Sequence, residues 1–282
     1  MSDLPMRIQR AASRYKTIET DGLTIYPVLM REYELFLLAR PALEVLHQSL
    51  PVRLMRIPLL AALYQMDFDA AMNGETPSGL FSRTLLALAL SLRLGEELEM
   101  EERLRCFRVV IDPKSPGKLL RLAFEQNGEE KEIRPAAYPK LRQIIALQNG
   151  VSLESDTANP DIVKAQKDMA SLGDMGLDVN AADWISAIAA LTGTDEAEID
   201  LWPIRKFQNR STSFRRILDY LVCGIGEMYG TTWKGGNPNP HPFFARAQNG
   251  SGVLSALGGG GKESAPPEAA TAIRDATKNL SS

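Results

Sequence analysis

The side chains able to do covalent or metal chemistry are few and scattered. Cys106, Cys223, His47 and His241 are all the thiols and imidazoles in 282 residues. Two thiols cannot supply a four-cysteine zinc site or a disulfide framework. Arg105 beside Cys106 favours a thiolate, yet no histidine stands where it could be assigned as its base. Cys223 lies in an apolar helical pattern, the ordinary setting of a structural cysteine. His47 has no acid or second histidine at ligand spacing, and His241 sits between Pro240 and Pro242. Asp67 and Asp69 are two apart, which on a helix sends them to different faces. Glu96, Glu97, Glu99, Glu101 and Glu102 form an acidic run, usually a solvated face. Gly260-Gly261-Lys262 ends like a phosphate-binding loop, but position 256 is Ala, position 263 is Glu and no strand precedes it. Gly224-Ile-Gly226 falls inside a helical pattern, and Gly-x-Ser-x-Gly does not occur. No catalytic residue, cofactor or metal site is assigned, and the chain reads as a non-enzyme.

One stretch stands out for binding rather than reaction. Trp202, Arg205, Lys206, Phe207, Arg210, Arg215 and Arg216 gather aromatic and positive side chains within fifteen positions. Helices often separate such residues into a core face and a solvated one. Trp and Arg are also favoured anchors of protein interfaces. Trp202, Arg205, Phe207 and Arg210 are therefore the candidate partner-binding residues. Nucleic acid is not expected as a partner, because a net charge of −3 lacks the excess of positive charge that coats phosphate.

Those residues must be held by a scaffold, and 44% hydrophobic with 24% charged residues is an ordinary globular composition. The chain length suits one or two domains. The apolar stretch 84–92, bracketed by Arg83 and Arg93, is too short to span a bilayer and reads as a buried helix. Arg7, Arg10, Arg14 and Lys16 break up any export signal, so a cytoplasmic protein with reduced thiols and no membrane partner is expected.

The expected architecture is mainly α with a small antiparallel β-hairpin insertion, an α+β class with disordered ends. Residues 1–22 read as a flexible arm, 23–150 as a helical domain with the β insertion at about 104–134, 151–246 as a C-terminal helical region and 247–282 as a disordered tail. Within this frame, 23–26 is a short strand, and a helical pattern begins at Arg31 with Pro41 interrupting it or starting a second helix. Helices are expected at 59–72, from about Ser78 to Leu94, at 139–148, 161–172 and 181–191, with a short segment at 196–201. The last helix opens at Ser211 or Thr212 and runs to about Met228, with Phe214, Ile217, Leu218, Leu221 and Ile225 as its apolar stripe. Strands are expected at 105–111, 119–125 and 131–134, the last two joined by Asn127-Gly128, a strong hairpin signal.

Several strings carry a family resemblance. Leu23-Thr-Ile-Tyr-Pro27, Glu32-Tyr-Glu-Leu-Phe36, Gly79-Leu-Phe-Ser-Arg83 and Leu90-Ser-Leu-Arg-Leu94 resemble the opening of tail-region proteins from phages and prophages of Gram-positive hosts. Leu141-Arg-Gln-Ile-Ile-Ala-Leu-Gln-Asn-Gly150, with Asn159-Pro160, resembles their middle. Trp202-Pro-Ile-Arg-Lys-Phe207 and Lys234-Gly-Gly-Asn-Pro-Asn-Pro240 are similar to their C-terminal part. The group looks like the tail assembly chaperones of long-tailed phages. The resemblance implies a host-cytoplasmic protein, absent from the finished virion, that binds and solubilises the tape measure protein, with the major tail tube protein as a second partner. A homo-oligomer is compatible with it. It also implies a programmed frameshift near the end of the gene, and Gly260-Gly261-Lys262 is what a run of G followed by A would encode. The alternative is a structural tail or neck subunit retained in the virion. A more remote alternative is an enzyme, which would need its scattered acids drawn into one pocket.

Overall fold

All of residues 84–92 are buried, and the rest of the fold is arranged around them. The computed structural model describes residues 4–154, 180–232, 237 and 241–242. The expected mainly α architecture with small antiparallel sheets is the one observed. Its elements are helices α1 (Met6–Ser13), α2 (Tyr33–Leu43), α3 (Leu59–Met72), α4 (Leu80–Leu92), α5 (Met100–Leu104) and α6 (Tyr138–Gln148), followed by α7 (Ala181–Thr192), α8 (Glu196–Asp200) and α9 (Ile204–Met228). Strands β1 (Ile18–Thr20) and β2 (Leu23–Ile25) form one sheet, and β3 (Arg108–Asp112), β4 (Ser115–Gln126) and β5 (Glu129–Ile133) form the other. The chain divides into two units, Met1–Arg210 and Ser211–Ser282.

In the first unit, α4 packs against α2, α3, α5 and β2. Burying each of its leucines stabilises by about 1.5–3 kcal/mol relative to exposure. The start of α4 is fixed by α3: Asp67 accepts the backbone N–H of Phe81 at 3.1 Å and the Ser78 hydroxyl at 2.6 Å. Asp69 points elsewhere, to Arg53 at 3.0 Å. The two aspartates are thus a remote helix cap and a surface ion-pair member.

The three-stranded sheet is antiparallel with β4 at its centre. Its hairpin turn is Asn127-Gly128, both with positive φ (55° and 78°), as a two-residue loop matched to strand twist requires. A bulge shifts the β3–β4 register between Val110 and Ile111. The parity of β4 changes with it: Leu119 is buried, Leu120 and Arg121 are exposed, and Leu122 is buried again. The far end of β4 is tied in by Gln126, whose amide donates to the Thr24 and Leu92 carbonyls at 2.7 and 3.1 Å and accepts from the Thr24 N–H at 3.1 Å.

The N-terminal segment departs from the expected flexible arm. Residues 6–13 form α1, which buries Ile8 and Ala12 and packs on α6, and β1 pairs with β2 in register Ile18↔Ile25. Pro41 sits in the last turn of α2 and starts no second helix; only a short 3-10 turn, His47–Ser49, follows. Arg142 of α6 caps α2, donating to the Leu43 and Val45 carbonyls at 2.6 and 2.7 Å. The helix expected at 161–172 and the tail at 247–282 lie outside the described residues.

Candidate functional site

The basic-aromatic stretch turns out to be a joint inside the first unit. Leu29 and Pro203 form an antiparallel bridge, with Met30 N–H donating to the Trp202 carbonyl and Ile204 N–H to the Val28 carbonyl, both at 2.9 Å. Asn149 completes it: its Oδ1 accepts the Val28 N–H at 2.9 Å while its Nδ2 donates to the Ile145 carbonyl at 2.8 Å. Gln148 beside it donates to the Lys16 and Ile25 carbonyls at 3.0 and 3.3 Å. Segments far apart in the chain (Tyr26 to Met30, Gln148-Asn149, and Trp202 to Ile204) therefore meet at one backbone-dominated contact. These are the same strings, or their immediate continuations, on which the family resemblance rests.

That arrangement decides what the four candidate partner-binding residues do. Phe207 is fully buried, with Trp184 edge-on to its ring at a centroid distance of 5.4 Å. Trp202 is only 8% exposed, and the Lys206 ammonium lies 3.9 Å from its ring centroid. Partial burial pushes the Lys206 ammonium below the usual lysine range, opposed by the Glu198 carboxylate. Arg205 is half-buried and donates to the Leu147 carbonyl at 2.6 Å. Arg210 alone of the four is exposed. Of the four candidate partner-binding residues, burial therefore claims the two aromatics and a backbone carbonyl holds Arg205, which leaves Arg210 on the surface.

A depression of about 590 Å³ in the first unit is lined by Tyr26, Arg93, Glu96, Cys106, Glu125 and Asn127 among others. Arg93 stacks over Tyr26 at 4.5 Å and pairs with Glu96 at 3.5 Å, and Glu96 also meets Arg31 at 3.2 Å. The acidic run accordingly lies on the surface, with Glu101 and Glu102 in the first turn of α5, where the helix dipole favours them. Cys106 borders this depression, whereas Cys223 is buried on α9 in the second unit. Among the described residues no group of three or more His, Cys, Asp and Glu is placed to hold a metal ion. Among them, too, no helix is long and apolar enough to cross a membrane.

The second unit presents a different surface. Leu218 and Leu221 are 50% exposed, Val222 and Ile225 more so, and Met228 and Tyr229 reach 87% and 88%. Leu218, Leu221, Ile225 and Met228 recur at intervals of three, four and three along α9, a heptad seam with Val222 and Tyr229 on its flank. Of the apolar stripe read from the sequence, Leu218, Leu221 and Ile225 face solvent, whereas Phe214 and Ile217 are half-buried.

Comparisons of the chain with protein-family models, with curated proteins and with solved structures find no match.

Proposed function

We propose that the protein works by binding another protein, as a tail assembly chaperone of a long-tailed phage or prophage that covers the tape measure protein in the host cytoplasm. The observation that carries this reading is the solvent-facing apolar stripe Leu218, Leu221, Val222, Ile225, Met228 and Tyr229. Scattered exposed leucines are ordinary, but a contiguous apolar helix face usually marks a docking site. A tape measure chain carries long apolar helical stripes of its own, and two such faces bury each other helix against helix. No catalytic residue, cofactor, metal or nucleic acid enters this activity. The strings resembling tail assembly chaperones support the assignment from the sequence side. In the first unit, Trp202, Phe207 and Asn149 then serve as the frame rather than as contact residues.

The test is co-expression with the tape measure protein. With the native chain, tape measure protein stays in the soluble fraction and co-purifies; with Leu221→Glu and Ile225→Glu together, the soluble share falls at least fivefold. Tape measure protein that stays soluble with the double variant, or without any chaperone, would overturn the reading. Mass spectrometry of purified particles separates the alternatives. A chaperone is absent from them, whereas a tail or neck subunit is present at fixed copy number.

A further inference from the structure

The exposed stripe on α9 has a geometry more particular than general stickiness. Leu218, Leu221, Ile225 and Met228 follow the alternating three- and four-residue spacing of a seam that faces one partner helix. Together with Val222 and Tyr229 they expose on the order of 700 Å² of side-chain surface, near the ≈800 Å² per partner of a standard interface. That is also at or above the largest patch a typical monomer leaves uncovered.

Charge selects the direction. The start of this helical segment is basic, with Arg215 and Arg216 adjacent, and the Arg215 side chain is 86% exposed with Asp219 as a distant neighbour at 4.0 Å. A parallel pairing would bring the two Arg215-Arg216 ends together and align the helix dipoles. An antiparallel pairing separates those ends. It packs Leu221 against the partner's Ile225 and Leu218 against the partner's Met228. It also sets Arg215 within two residues, about 3 Å, of the height of the partner's Tyr229, an exposed ring that a guanidinium can reach and stack over. In that register the two-fold axis lies at the height of Cys223, and the two copies of Val222 flank it about 3 Å apart along the helices.

From these observations we infer that, when no client protein is bound, the stripe Leu218–Tyr229 of one copy packs antiparallel against the same stripe of a second copy. The inference rests on the proposed function only for the stripe's working role; the dimer itself follows from seam, area and charge. It makes the homodimer the resting form, which a client helix must displace.

The purified full-length chain tests this without any client. Light scattering at tens of micromolar should give twice the 31.1 kDa chain mass, falling twofold to the monomer in Leu221→Glu with Ile225→Glu. Circular dichroism should be unchanged, since both side chains are exposed in the single chain. Under mild oxidation Val222→Cys should cross-link into dimers beyond the parent background, and Leu221→Cys should not. A monomeric native chain, including one whose stripe is covered by its own segment, would overturn the inference. So would a dimer indifferent to the two glutamates, or cross-linking through position 221 instead of 222, which marks a parallel pair. A monomer that still solubilises tape measure protein removes the dimer and leaves the proposed function. A stripe-dependent dimer whose glutamate variant still solubilises it removes the function and leaves the dimer.

Discussion

At the scale of single residues, a buried ion pair in the first unit ties two elements together. Arg103 is 3% exposed at its side chain; it donates to Glu32 Oε1 and to the Glu96 carbonyl, both at 2.7 Å. The pair pins α5 to the turn that opens α2. Removing one partner of a buried pair strands the other, at about 3–5 kcal/mol, whereas replacing both by apolar groups is often neutral. Arg103→Met should therefore lower unfolding stability by about that amount, and Glu32→Leu with Arg103→Met together by clearly less. Urea denaturation of the three proteins measures it, and a double variant at least as unstable as Arg103→Met would remove the argument. Nothing in the sequence singles out this pair. Glu32 and Arg103 lie 71 positions apart, each among other charges, and only the fold distinguishes them from solvated neighbours. Asn127-Gly128 was legible for the opposite reason: its chemistry is local and the turn requires positive φ twice.

Elements were legible where their apolar period was complete. Residues 59–72 were expected as a helix and α3 has those bounds, because turn signals flank an apolar run of ordinary helix length. The last helix, expected to open at Ser211 or Thr212, starts seven or eight residues earlier, at Ile204. Ile204 and Phe207 start its apolar face, but Ser211 stands where the next apolar residue is due, and the arginines around it mask the period. The N-terminal helix α1 was missed because only Ile8 and Ala12 bury; eight residues form a helix here through packing on α6 rather than by propensity. The joint tests how elements meet. Gly150, just after α6, has φ +71°, and a Cβ there would run into the Gln208 side-chain amide of α9 and approach Arg205 Cγ at 3.5 Å. Gly128 has a similar φ but open space around it. Gly128→Ala should cost about 1 kcal/mol from backbone strain alone. Gly150→Ala should cost about 2 kcal/mol, with the excess returned by adding Gln208→Ala. Denaturation midpoints decide it: equal losses at the two glycines would mean that the joint has slack where the structure shows contact.

For the whole molecule, what the sequence concealed was which residues are scaffold and which are surface. Trp202 and Phe207 have the composition of an interface hot spot, yet they bury in a joint shared with Val28 and Asn149; composition alone cannot tell an internal contact from an external one. The second unit reverses the case, since an apolar stripe normally reads as core. The uncovered helix face in the second unit is the surface on which the proposed partner would arrive and leave. If that partner is a tape measure protein, the gene should also yield a longer product. Every glycine codon begins GG and every lysine codon AA, so Gly260-Gly261-Lys262, outside the described residues, is compatible with a run of G followed by A on which a ribosome slips. Expressed from its native DNA with the downstream sequence retained and a tag at the N-terminus, the chain should appear by intact mass as a major species of 31.1 kDa plus tag. A minor, longer species should accompany it, with its extra mass accounted for by a change of frame at Gly260 to Lys262. A single species would remove the frameshift at this site. It would leave the chaperone reading on the α9 stripe and the resemblance, and would bring the virion-subunit alternative level with it until particles are analysed.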